Sequence, residues 1–122
     1  MSRLDPRPLV LIADDQPAMA RSLGELLTSW GYQVETVASG PAAIAAAARM
    51  IPDLILMDIH MPGTDGLQAA RAIRQIRTLR DVPILFLGSH PHAEASFPKP
   101  ACPTVLRQKL AHLLAPKVAL PA

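Results

Sequence analysis

Two acidic side chains, Asp14 and Asp15, close an apolar run, Leu9-Val10-Leu11-Ile12-Ala13, and a third, Asp58, closes another, Leu54-Ile55-Leu56-Met57. Much later a lysine stands in the pair Lys99-Pro100. A carboxylate at the end of an apolar run lies where a buried strand meets water, rigidly held and still reachable. If the runs are parallel strands of one sheet, three carboxylates and one ammonium converge on one rim. Such a cluster would bind a divalent cation beside a carboxylate able to accept a phosphoryl group.

The patterning predicts the sheet that this convergence requires. At 122 residues, half of them apolar, the chain reads as one domain over 1–122, with an ordered core of about 9–115 and a frayed tail from 116. Leu9–Ala13 reads as a fully buried strand. Pro17 suits the first turn of a helix whose stripe is Met19, Leu23, Leu26, Leu27 and Trp30, and Gly31 stops it. Gln33–Ala38 alternates like a strand, Ser39 is an N-cap, and Pro41–Met50 is an alanine-rich helix broken by Pro52. Asp53–Asp58 is a strand, 61–66 a Pro/Gly turn, Leu67–Arg77 a helix, Val82–Leu87 a strand and Thr104–Ala115 a last helix. This order argues for a doubly wound α/β sheet with its chemistry at the carboxyl ends of the strands.

Composition removes several classes. No apolar stretch approaches the roughly 20 residues that span a bilayer, and residues 1–8 lack the apolar centre of a secretory signal. A lone cysteine, Cys102, forms no internal disulfide and fits a reducing cytoplasm. The net charge of +2 neither requires nor excludes nucleic acid. No length remains for an output or DNA-binding domain.

Ile12-Ala13-Asp14-Asp15, Asp53–Asp58 followed by Met61-Pro62-Gly63 and Asp65-Gly66, Val82-Pro83-Ile84 and Lys99-Pro100 occur in that order. Together they resemble the receiver domain of response regulators in two-component signalling. The resemblance covers residues 9–88 without a gap, resumes at Phe97, and implies a five-stranded, flavodoxin-like parallel sheet. It implies that Asp58 accepts the phosphoryl group, that Asp15 coordinates Mg²⁺ directly, that Asp14 acts partly through water, and that the His60 backbone carbonyl is a further ligand. Lys99 would pair with a phosphoryl oxygen, with Pro100 fixing its approach. The bland reading of Asp14-Asp15 is helix capping.

The pattern departs in two places. The family ends its fourth strand with a threonine or serine hydroxyl, and that place falls on Gly88; Ser89 would substitute if the loop shifts by one residue. Ser96 stands where an aromatic switch residue is usual, and Phe97 reads as filling an apolar slot. Only His90–Ala95 lie between Ser89 and the fifth strand, too few for the usual crossover helix, so the fourth helix should be missing. Six residues reach roughly 20 Å when fully extended, which implies a taut link and uncovered apolar surface. From this follows an expected homodimer, with exchange of the segment from Phe97 to the C-terminus.

Arg71, Arg74, Arg77 and Arg80 read as a solvated helix face rather than a nucleic-acid stripe, because no aromatics interleave. His90 and His92 lack a third ligand nearby and read as loop histidines, and Met57 and Met61 as packing. The favoured function is a stand-alone bacterial cytoplasmic receiver, not an enzyme acting on other substrates. Its partners would be a sensor histidine kinase and an output protein or phosphotransfer partner. The alternatives are a pseudo-receiver acting as a binding or dimerisation module, and a phosphate sink or relay. An aspartyl-phosphate hydrolase would need an Asp-x-Asp pair that is lacking after the first strand.

Overall fold

The computed structural model describes residues 6–88, 96–97 and 102–118. The apolar runs form β1 (Leu9–Ala13), β3 (Leu54–Asp58) and β4 (Ile84–Leu87); the alternating segment is β2 (Gln33–Val37), and β5 is Ser96–Phe97. All neighbouring pairs are parallel, in the order β2-β1-β3-β4-β5. Every residue of β3 is buried, which is why it reads as an unbroken apolar run rather than an alternating one. The winding reverses between β1 and β3, and doubly wound sheets bind their ligands in the crevice at that reversal.

Among the described residues, four helices cover the two faces: α1 (Pro17–Ser29), α2 (Gly40–Met50), α3 (Gly66–Arg74) and α4 (Pro103–Val118). One core cluster joins Val10, Ile12, Leu54, Leu56, Leu85 and Leu87 to Leu23 and Leu27 of α1 and Leu106, Leu110 and Leu114 of α4. The other joins Leu11, Ala13, Ile55, Met57, Ile84 and Phe86 to buried alanines of α2 and to Ala69, Ala70 and Ile73 of α3. The alternation of strand side chains assigns each residue to its face. The expected stripe of α1 is the one that packs, and Ser39 Oγ caps α2 by accepting the Ala42 N–H at 3.2 Å.

The expected helix 67–77 stops at Arg74. The chain passes through an extended Ile76 into a 3₁₀ turn, Arg77–Leu79, which buries Leu79 completely. Arg74 holds this turn: Nη1 donates to the carbonyls of Leu79 (3.3 Å), Arg80 (3.1 Å) and Val82 (2.5 Å). Arg74 is exposed, as the reading of the arginines as a solvated face has it, and holding this turn is a further role of its guanidinium. Arg74→Met keeps the aliphatic stem and removes these donors. We expect it to lower stability by about 1–2 kcal/mol in urea unfolding, whereas the neighbouring exposed Arg71→Met should change it little.

Other boundaries shift for local reasons. β4 begins at Ile84, not Val82, because the Val82 N–H is used by Leu79 O at 3.2 Å and Pro83 has no N–H. α4 runs past the expected Ala115 to Val118. Pro116 lies in its last turn.

The crossover between β4 and β5 is eight residues, 88–95, of which only Gly88 is described, so the expected absence of a helix at 89–95 lies outside the described residues. The expected taut link along the whole strand is corrected by the register. Ser96 pairs with Phe86 and Phe97 with Leu87, so the chain returns beside the strand end it has just left. Nor is the adjoining face bare: Ile84 is 7% and Phe86 8% exposed.

Candidate acidic site

Asp14 continues β1, its N–H donating to the Val37 carbonyl at 3.0 Å. Asp14 is 1% exposed, and its Oδ1 accepts the Gln16 N–H at 2.9 Å. Capping accounts for at most Asp14, whose carboxylate holds the N–H of the cap residue itself. The residue at the cap of α1 is Gln16, with no side-chain cap bond. Asp58 ends β3 at 3% exposure, and its Oδ1 accepts the His60 N–H at 3.2 Å. Because Ala13 is paired with Met57, the residues after them, Asp14 and Asp58, emerge side by side.

Asp15 is half-buried, and carboxylate oxygens of Asp14, Asp15 and Asp58 all lie within 4.8 Å of one another. Unit charges at that distance repel by roughly 3 kcal/mol per pair at an effective dielectric of about 20. Two of the three are nearly dry, so water screens them weakly. An all-oxygen, anionic donor set of this kind fits a hard divalent cation, Mg²⁺ among them, with waters completing the shell.

The loop after β3 is seated by close backbone contacts. Gly66 N–H donates to Ile59 O at 2.8 Å, and a Cβ on Gly66 would run into the Asp58 carbonyl oxygen and lie 2.9 Å from Ile59 Cα. Thr64 also approaches Gly40 at the start of α2, its carbonyl oxygen 2.7 Å from where a Cβ on Gly40 would be. Asp65 and Gln68 form a capping box on α3: Asp65 Oδ1 accepts Gln68 N–H at 2.8 Å and Gln68 Oε1 accepts Asp65 N–H at 3.0 Å. Sequence reasoning missed these supports, although the Asp-x-x-Gln spacing of the box was legible.

The structure thus brings together Asp14, Asp15 and Asp58, with His60 in the loop directly after β3. Lys99 and Ser89 lie outside the described residues. Gly88 closes β4 with φ +112°, so no hydroxyl is carried at that position. Met57 and Met61 are buried in the core, as expected. Cys102 is exposed and unbridged.

Similarity to known proteins agrees with this geometry. Residues 10–97 match the response regulator receiver domain family. The chain is 41% identical over 78 residues to the response regulator PleD of Caulobacter vibrioides, covering 64% of this chain and 17% of that protein. It is 42% identical over 86 residues to the sensor protein GacS of Pseudomonas syringae pv. syringae, covering 68% of this chain and 10% of that protein. The chain therefore spans a small part of such relatives. Among solved structures, the Vibrio cholerae chemotaxis protein CheY4 superposes with a TM-score of 0.83 at 29% identity, over 88% of this chain and 99% of that one. The receiver domain of the sensor histidine kinase PA1611 from Pseudomonas aeruginosa, with a magnesium ion in its active-site cleft, does so with the same score and identity over 89% and 98%. A parallel sheet in this strand order, carboxylates at its point of reversal and a family match over residues 10–97 make this chain a member of the response regulator receiver domain family.

Proposed function

We propose that the chain takes a phosphoryl group from a phosphohistidine of a sensor histidine kinase onto Asp58 and signals through altered protein contacts. The observation that carries this reading is the meeting of Asp14, Asp15 and Asp58 within 4.8 Å, delivered by two neighbouring strands. A carboxylate oxygen of Asp58 forms the new bond to phosphorus as the bond from phosphorus to the donor's imidazole nitrogen breaks. The His60 N–H, donating to Oδ1, orients that carboxylate. Mg²⁺ held by Asp14, Asp15, Asp58 and the His60 carbonyl would offset the charge of the arriving phosphoryl group. Lys99 has the role, by family resemblance, of pairing with a phosphoryl oxygen. On this reading the protein is no enzyme for other substrates; it catalyses only its own phosphorylation and dephosphorylation.

Relatives named as sensor or histidine kinases, GacS and BarA, support a histidine kinase as partner. The output is another protein, or phosphate passed on or drained from the kinase, in the bacterial cytoplasm. Incubation with a phosphorylated kinase and Mg²⁺ should label the protein on an acid-resistant, base-labile bond, and chelating the cation should prevent it. A second reading, a pseudo-receiver that only binds, is favoured by Gly88 at the end of β4. It predicts no label under any donor, and that result would replace the first reading.

The same proposal includes a homodimer, with exchange of the segment from Phe97 onward. What supports it is the shortness of the crossover, eight residues between β4 and β5. Light scattering at high micromolar concentration should give twice the monomer mass; a monomer, phosphorylated or not, removes the dimer from the reading.

A further inference from the structure

β2 forms one edge of the sheet, with β1 on its inner side. Gln33 N–H donates to Pro8 O at 2.9 Å, and Val37 O accepts the Asp14 N–H at 3.0 Å. Residues 33, 35 and 37 therefore turn their backbone groups toward β1. By the alternation of a parallel ladder, the N–H and C=O of Val34 and Thr36 point away from the sheet. Among the described residues nothing bonds them, which leaves an open template for another strand.

The side chains of Val34 and Thr36 turn toward α1, and cover is incomplete there too. Val34 is half-buried and Thr36 exposed, whereas their strand partners Val10 and Ile12 are fully buried. With Ala20, Gly24 and Thr28 of α1 they line an open, mostly apolar groove of about 500 Å³. Residues 20 to 28 span roughly 12 Å of helix, the length of about four residues of extended chain. Gly24 keeps the groove deep without being required by the fold. A Cβ on it would meet Val34 Cγ1 at 3.5 Å and Thr36 Cγ2 at 3.8 Å, which are ordinary contacts. A glycine inside a helix is less stable than alanine, so packing alone gives no reason for it here.

We infer that this edge is a docking site for an extended segment of a partner protein, which adds to the sheet beside β2. Hydrogen bonds to Val34 and Thr36 hold its backbone, and alternate small apolar side chains fill the groove. Glu35 selects the occupant. It is exposed on the other face of β2, and the residue opposite it on an added strand shares that face. A second copy of this chain is disfavoured, because the fully overlapping two-fold register sets the two Glu35 carboxylates directly opposite each other. A strand with lysine or arginine at that place is favoured instead. Nothing in this docking requires the acceptor chemistry of Asp58.

The test follows the amide resonances of the isotope-labelled full chain with two peptides at about millimolar concentration. They are acetyl-Thr-Val-Lys-Val-Thr-amide and its counterpart with glutamate in place of lysine. The lysine peptide should shift the amides of Val34 and Thr36 and slow their hydrogen exchange, leaving Asp58 unmoved. Glu35→Lys should weaken that peptide by about fivefold and favour the glutamate peptide by a similar factor. Gly24→Leu fills the groove with a better helix former, so it should fold as the parent does and lose the peptide. Binding that survives Gly24→Leu, a charge swap without effect, or no shift at Val34 and Thr36 would each overturn the inference. Protection of these two amides in the free protein would overturn it as well. Protection that rises with protein concentration assigns the edge to a second copy, and protection independent of concentration assigns it to another part of the same chain. A dimer formed through other surfaces leaves both amides open.

Discussion

Asp58→Asn should abolish incorporation of phosphate from kinase or small-molecule donors, with no residual label above background. The substitution is nearly isosteric, and the side chain stays at the end of β3, 3% exposed, so the strand loses little packing. The amide nitrogen is not a nucleophile toward phosphorus, and its remaining oxygen can still accept the His60 N–H, as Asp58 Oδ1 does at 3.2 Å. What disappears is one negative charge from a set of three within 4.8 Å. Two measurable consequences follow in opposite directions. Mg²⁺ affinity should fall by roughly an order of magnitude, since charge count among oxygen ligands tunes affinity for hard cations. Stability without the cation should hold or rise, because carboxylate repulsion is relieved. Label persisting in Asp58→Asn would move the acceptor elsewhere; a sharp loss of stability would mean that Asp58 serves the fold first.

The acceptor and its acidic neighbours were legible in the sequence because burial writes itself into composition. Leu54-Ile55-Leu56-Met57 has no polar residue until Asp58, and such a run is intelligible only if both faces are covered and the chain then meets water. Ser39, Pro17 and Gly31 marked their helix ends for equally local reasons. What stayed hidden depends on distance between segments. Arg74 looks like one member of an arginine stripe, yet its guanidinium binds three carbonyls from a turn five to eight residues later. Nothing in the residue type announces that the helix stops there. The short crossover also misled: chain length suggested a strained traverse along the strand, whereas the described residues Ser96 and Phe97 pair with Phe86 and Leu87 at the end of β4. Counting residues bounds the reach of a link but not the register at which it lands.

Gly66→Ala should be the most disruptive glycine-to-alanine change among the described residues. Gly66 opens α3 while its own N–H bonds Ile59 O at 2.8 Å, so the first turn of the helix lies directly on the end of β3. A methyl there would meet the Asp58 carbonyl oxygen, with Ile59 Cα at 2.9 Å and the Asp58 carbonyl carbon at 3.0 Å. These are backbone atoms, which cannot rotate away as the tip of a side chain could. The helix or the strand end must shift, at about 3 kcal/mol, the upper end of what overpacking costs. A domain with stability of about 5–15 kcal/mol stays folded under that load, so the site should fail before the fold does. A displacement of about 1 Å in a reacting group can cost on the order of a hundredfold in rate, and here the group displaced is the acceptor. Gly63→Ala is the control from the same loop: nothing lies within 4 Å of the added carbon, and only its φ of +76° opposes the change. That backbone strain is worth about 1–2 kcal/mol, with no push on Asp58. Urea unfolding and phosphorylation rates measured on both variants should therefore separate them. If Gly66→Ala retained the parent's rate of phosphorylation, the helix start would not be what holds Asp58 in place.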